Sequence, residues 1–156
     1  MQDPMNDKTD TEEKPLVRIE GLDHIVLRCA RLEATMAFYI DVLGCTLERS
    51  VLESDLWQLR AGGSLIDLVP VGSALAGPKA PDPDRANIAH FCLRIDRPNW
   101  EDLEAGLASQ GIALIGPPAI RYGAQGFGRS VYLADPEGNI VELKANRTSL
   151  DDEDQG

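Results

Sequence analysis

Cysteine, histidine, aromatic and basic residues are all scarce in this sequence, and each shortage excludes something. Three cysteines, Cys29, Cys45 and Cys92, are odd in number, far apart and never in a C-x-x-C pair. That argues against a disulfide framework and against a thiolate zinc site. No apolar run approaches the roughly 18 residues that span a bilayer. The start, "MQDPMNDKTDTEEKPLVR", has neither the apolar centre nor the cleavage pattern of a secretory signal, so a cytoplasmic location with reduced thiols is expected. Lys and Arg number 15 against 26 Asp and Glu, a net charge of -11. Nucleic acid and anionic membranes would be repelled by that balance, so neither is an expected partner.

What is present suits one domain. Among the 156 residues, 43% are hydrophobic, enough for a real core but not for two large domains. Residues 1–16 and the acidic end, 147–156, are charged and without periodicity, and are expected to be disordered tails around a folded part over 17–146.

Within the folded part the chain repeats itself weakly. "DHIVLRCARLEATMAFYIDVLGCTLERS" and "AHFCLRIDRPNWEDLEAGLASQGIALIGPP" share one order: a His-led alternating strand, a helix, a Gly and another strand. Leu32, Met36, Tyr39 and Leu43 recur at helical spacing before Gly44; Trp100, Leu103 and Leu107 do so between Pro98 and Gly111. The interval from His24 to Gly44 matches that from His90 to Gly111 within one residue. Further strands are expected at "CTLERSV", "LWQLRAG" and "SLIDLVPV" in the first unit. The second unit adds "IALIGPP", "GRSVYLAD" and "NIVELKA". Each unit reads as β-α-β-β-β, an α+β class. Module one covers about 20–71 and module two about 88–146, joined by a Pro-, Gly- and Ala-rich linker at about 72–87.

Side chains alternate across a strand, so each strand sorts into two faces. Ile25, Leu27 and Cys29 oppose His24, Val26 and Arg28. Phe91, Leu93 and Ile95 oppose His90, Cys92 and Arg94. Ile66 and Leu68 oppose Asp67, and Val141 and Leu143 oppose Glu142. The apolar faces must meet the amphipathic helices, which puts His24, Asp67, His90 and Glu142 on the opposite face.

His24 and His90 are the two histidines of the chain and open equivalent strands. Either is ordinarily read as a hydrogen-bonded residue at a strand end. As a matched pair sharing a face with two mid-strand carboxylates, they point to a metal site of imidazole and carboxylate donors, suited to Zn, Ni, Fe, Mn or Co rather than Ca. A buried carboxylate needs a cation; a metal ion would serve, and so would a salt bridge to Arg28 or Arg94.

With "DHIVLRC", "FYIDVLG", "LIDLVP", "AHFCLRI" and "YLADPEGNIVEL" in hand, the stretch from about Leu22 to Ala145 resembles the vicinal oxygen chelate superfamily. That group includes glyoxalase I, extradiol dioxygenases, fosfomycin-resistance enzymes and bleomycin-binding proteins. The resemblance implies paired β-α-β-β-β modules forming a curled mixed sheet, a cup, with helices on its outer face. It implies metal ligation by His24, His90 and Glu142. It matches Asp67 to a fourth ligand that is usually Glu or Gln, and aspartate is one methylene shorter. It also implies that the modules either close on each other or exchange across a dimer, and a homodimer is expected.

A set of this kind leaves positions open for a substrate with two neighbouring oxygens. The expected activity is therefore that of a metal-dependent lyase or isomerase resembling glyoxalase, with Glu142 or Asp67 moving the proton. The alternatives are an extradiol-type Fe(II) dioxygenase, for which no further histidine remains, and a metal-free binding or antibiotic-sequestering module. The glycine-rich "RYGAQGFGRS" reads either as a lid over an anionic substrate or as an ordinary hairpin connection. Arg28, Arg94, Tyr122 and Arg129 are the expected substrate contacts.

Overall fold

Each half of the chain supplies one open four-stranded mixed sheet in the computed structural model, which describes residues 20–82, 84 and 88–146. The expected tails lie outside the described residues. The first half runs β1 (His24–Cys29), α1 (Leu32–Ala37) continued by a π-helical turn (Phe38–Val42), β2 (Thr46–Val51), a 3-10 turn (Leu52–Ser54), β3 (Leu56–Ala61) and β4 (Ser64–Pro70). Its sheet order is β1-β4-β3-β2, with β1 parallel to β4 and the other pairs antiparallel. The second half runs β5 (Phe91–Arg94), α2 (Trp100–Ser109), β6 (Ala119–Gly123), β7 (Gly126–Ala134) and β8 (Ile140–Asn146), in the matching order β5-β8-β7-β6. This is the α+β cup fold that the sequence predicts, built from two β-α-β-β-β units.

Local chemistry sets the helix ends. Asn99 opens α2 by accepting from the Asp102 amide at 3.1 Å, with Glu101 and Asp102 in the first turn. Gly44 and Gly111 close the two helical segments at φ 77° and 75°, a region costly for any residue with a Cβ. The sequence predicts one regular first helix; its second half instead widens, the Leu43 amide bonding to the Phe38 carbonyl at 3.1 Å, five residues back. A second difference falls at "IALIGPP". This stretch is not a strand, because Pro117 and Pro118 have no amide to give a ladder. The strand begins after them as β6, and "RYGAQGFGRS" is the tight β6–β7 hairpin, with Gly123 paired to Gly126.

The core is shared. Leu27, Cys29, Ile66 and Leu68 from the first sheet, Val131, Leu133, Val141 and Leu143 from the second, and Phe38, Tyr39 and Leu107 from the helices form one buried cluster. One face of each sheet packs into it, so the other face of each sheet points away from it.

The turn between β7 and β8, "DPEGN", fastens the halves together. Asp135 is buried and accepts from the amides of Glu137 (2.9 Å) and Asn139 (2.8 Å), the Asn139 side chain (2.7 Å) and the Tyr39 hydroxyl (2.7 Å). The Glu137 carboxylate accepts from the Ala30 amide (2.9 Å), the Arg31 amide and the Thr35 hydroxyl (3.0 Å). It thereby serves as the N-terminal cap of α1, which has no side-chain cap of its own. Among the described residues, no helix is long and apolar enough to cross a membrane.

Tyr39→Phe keeps the ring and removes one donor from a buried carboxylate, at an expected cost of about 1–3 kcal/mol. Urea unfolding should show a lower midpoint at unchanged slope; an unchanged midpoint would mean that the bond adds nothing net.

Candidate metal and substrate site

The parallel β5–β8 and antiparallel β7–β8 ladders align Cys92, Glu142 and Tyr132 in one row. Cross-strand neighbours share a face, and this face is the one turned from the core. Glu142 is 6% exposed. His90 stands immediately before β5 and places Nε2 at 3.1 Å from Glu142 Oε2, while the Tyr132 ring meets the imidazole edge-on at 5.6 Å. Two ligands each about 2.0–2.2 Å from one ion lie about 3.0–3.5 Å apart, so the His90 and Glu142 donors fit a shared divalent cation in type and in spacing. The Cys92 thiol is pushed up to about 11, chiefly by loss of water and then by the Glu142 charge, so it stands as a neutral thiol beside the pair.

The first sheet carries a second, looser pair. Asp67, 3% exposed, receives the Gln58 side-chain amide at 3.2 and 3.0 Å on its two oxygens, from directly across the β3–β4 ladder. His24 is exposed and its Nδ1 lies 2.6 Å from Asp23 Oδ1; that hydrogen bond raises the imidazole above its usual range, with the Asp67 charge adding to the effect. His24 and Asp67 thus lie on one sheet, and His90 and Glu142 on the other. Among the described residues, no three His, Cys, Asp or Glu side chains gather closely enough to hold a metal ion.

The expected substrate contacts separate. Arg94 and Tyr122 line a cavity of about 210 Å3 with Cys92, Glu142 and Lys144, beneath the tip of the β6–β7 hairpin. Arg129 lies 4.9 Å over the Trp100 ring, packed against α2. Arg28 reaches the Ala76 carbonyl at 3.5 Å, beyond the end of β4. A larger groove of about 570 Å3 runs between the halves, lined mainly by helix-side residues such as Ile25, Leu43, Phe91 and Leu143; Cys92 and Arg94 border it as well, and Glu142 and the histidines do not.

Several contributors escape the sequence reading. Gln58 is a polar residue between Trp57 and Leu59, and only the ladder register shows that it faces Asp67. Lys144 follows Glu142 by two positions and so shares its face, which strict alternation along "NIVELKA" could have found. The role of Glu137 spans 107 positions of sequence and left no local signal.

The fold defines a class, and comparison with known proteins gives the same one. Residues 21–143 match the family described as Glyoxalase/Bleomycin resistance protein/Dioxygenase superfamily, and the chain belongs to it. Virulence protein STM3117 of Salmonella typhimurium is 30% identical over 125 residues, covering 80% of this chain and 83% of that protein. Glyoxalase domain-containing protein RDO1 of Mycosarcoma maydis is 30% identical over 131 residues, 81% of this chain and 69% of its own length. The solved structure of integron cassette protein VCH_CASS1, from the mobile metagenome of V. cholerae, superimposes with a TM-score of 0.69 at 32% identity, covering 85% of this chain and 99% of that one.

Gln58→Leu removes the donor from both oxygens of a buried carboxylate and should cost about 1–3 kcal/mol in urea unfolding of the metal-free protein. The Gln58→Leu, Asp67→Leu double variant should recover part of that loss. Strictly additive losses would show that the two side chains are not coupled.

Proposed function

We propose that the protein is a divalent-metal-dependent enzyme of the glyoxalase type, an isomerase or lyase acting in the cytoplasm as a homodimer on a small oxygenated substrate. The observation that carries this reading is the His90–Glu142 pair, with its two donor atoms 3.1 Å apart on the face turned from the core. His24, Asp67, His90 and Glu142 would hold the ion, with Zn, Ni, Fe or Mn matching the donor set. When bound, it would supply Lewis-acid polarisation of two neighbouring substrate oxygens.

The chain's own residues do the rest. Glu142 or Asp67 moves a proton on the substrate carbon, each being the buried carboxylate on the site face of its own sheet. Tyr132 fixes the plane of His90, and Gln58 fixes Asp67. The β6–β7 hairpin tip lines one side of the cavity.

A homodimer follows from the incompleteness of each half. The two pairs sit on separate sheets whose site faces both point away from a shared core. β1 and β5, which His24 and His90 open, are sheet edges, and Val26 on the site face of β1 is 49% exposed. A second copy would cover these edges and bring the first sheet of one protomer to the second sheet of its partner. The competing reading, a metal-free binding module, draws on the same pair, because the close contact between His90 and Glu142 partners both side chains without an ion.

Metal analysis after purification without chelators should find an ion in the wild type and none in His24→Ala or His90→Ala. Mixing these two variants under subunit exchange should restore metal, because one shared site then carries both lesions and the other carries neither. No recovery on mixing would refute sharing. A wild-type protein that stays metal-free after exposure to Zn, Ni, Fe and Mn would sink the enzyme reading, and bound iron would favour oxygen chemistry.

A further inference from the structure

Two cations face each other on the floor of the second sheet. In the β5–β8 ladder Arg94 stands directly opposite Lys144, on the face that carries Glu142, and both line the cavity of about 210 Å3. Like charges set across a ladder repel each other. Lys144 is only 5% exposed, and an ammonium removed from water needs an opposite charge or a full set of acceptors. Its Nζ donates to the Gly126 carbonyl at 2.9 Å, which occupies one of its three donors. Glu142, the carboxylate of this floor, is engaged by His90, and among the described residues neither Lys144 nor Arg94 is in an ion pair. In a chain with 26 acidic and 15 basic residues, two opposed cations at the base of a cavity are not a product of composition.

One glycine beside that ammonium leaves it room. A Cβ at position 123 would stand 3.2 Å from Lys144 Cε, so glycine there keeps the path of the side chain clear, whereas a Cβ at position 128 would run first into the Ala145 backbone carbonyl. On the other side of the ladder Ser130 lies opposite Lys144, fully buried, and among the described residues its Oγ is the buried side-chain polar atom without a hydrogen-bond partner. Arg94 and Lys144 therefore offer cationic donors to a cavity whose carboxylate, Glu142, is already engaged by His90; Ser130 is fully buried and does not line it.

We propose that Arg94 and Lys144 form an anion subsite, holding a carboxylate, phosphate or phosphonate group of the substrate beside Glu142 and His90. The subsite rests on the active-site reading given above and names its substrate class: a small oxyacid whose neighbouring oxygens and anionic group are borne close together. Alternate residues on one strand face are about 7 Å apart, so the anionic group lies within a few bonds of the oxygens being activated. The cavity, about 210 Å3, has room for such an acid.

Calorimetric titration of the full-length chain after dialysis against chelator, once with inorganic phosphate and once with malonate, tests the subsite without any metal. Saturable binding is expected, weakened about tenfold or more in Lys144→Met and in Arg94→Gln and largely kept in Lys144→Arg. Binding of phosphate alone identifies a phosphate or phosphonate group, and binding of malonate alone a carboxylate. If neither anion saturates, or if binding survives both Lys144→Met and Arg94→Gln, the subsite is overturned. Arg94 is exposed, so its variant decides the question should Lys144→Met fail to fold. Anion binding by a chain that takes up no metal would leave the subsite standing and remove the metal enzyme.

Discussion

The turn Asp135–Asn139, with the Asp135 side chain buried, is the joint on which both halves of the molecule depend. A carboxylate out of water is costly unless its lone pairs are filled, and Asp135 fills them with four donors, one of them the Tyr39 hydroxyl from the other half. Its neighbour Glu137 caps a helix that lacks a cap of its own. The two acids of one turn therefore set the start of β8 and hold α1 against it. Everything that the site needs, from the register of Glu142 to the shared core behind it, is downstream of that joint.

From this follows the way the site is divided. With one face of each sheet committed to a common core, the polar faces have nowhere to meet within the chain. Period-two alternation then delivers His90 and Glu142 to one outward face and Asp67 to the other, with His24 at the edge of its sheet. The second sheet is the better finished of the two. It has its donor atoms in contact, a ring set edge-on to the histidine and a cavity lined by two cations. The first sheet offers an aspartate held by an amide and an exposed histidine occupied with Asp23. Aspartate is the shorter acid, and Gln58 beside it both orients it and occupies both of its oxygens. Under the proposed function, this asymmetry would divide the labour, the second sheet binding substrate and the first completing the coordination of an ion.

Much of the fold was legible because the repeat is legible: two His-led strands, two helices closed by Gly44 and Gly111, and strands whose alternation is clean in "SLIDLV" and "NIVEL". Sorting by alternation put Asp67 and Glu142 opposite the core residues flanking them, and the burial of Ile66, Leu68, Val141 and Leu143 agrees. The strand read at "IALIGPP" failed because its apolar residues outweighed two prolines that cannot join a ladder. The π-helical turn at Phe38–Val42 left no mark in spacing, since one extra residue per turn does not disturb a short stripe. "DPEGN" reads as a turn from its composition. Its grip on α1 does not, because hydrogen bonds across 107 positions depend on packing that no local pattern encodes. Gln58 was hidden for a related reason: a register has to be known before a cross-strand partner can be named.

The central claim is that two protomers complete one metal site. The most direct measurement is a crystal structure of the protein loaded with zinc or nickel, with diffraction collected at the absorption edge of the metal. The expected result is an anomalous peak bounded by His24 and Asp67 of one protomer and by His90 and Glu142 of the partner subunit. A peak bounded by the residues of a single chain, or no peak at either pair, would contradict it.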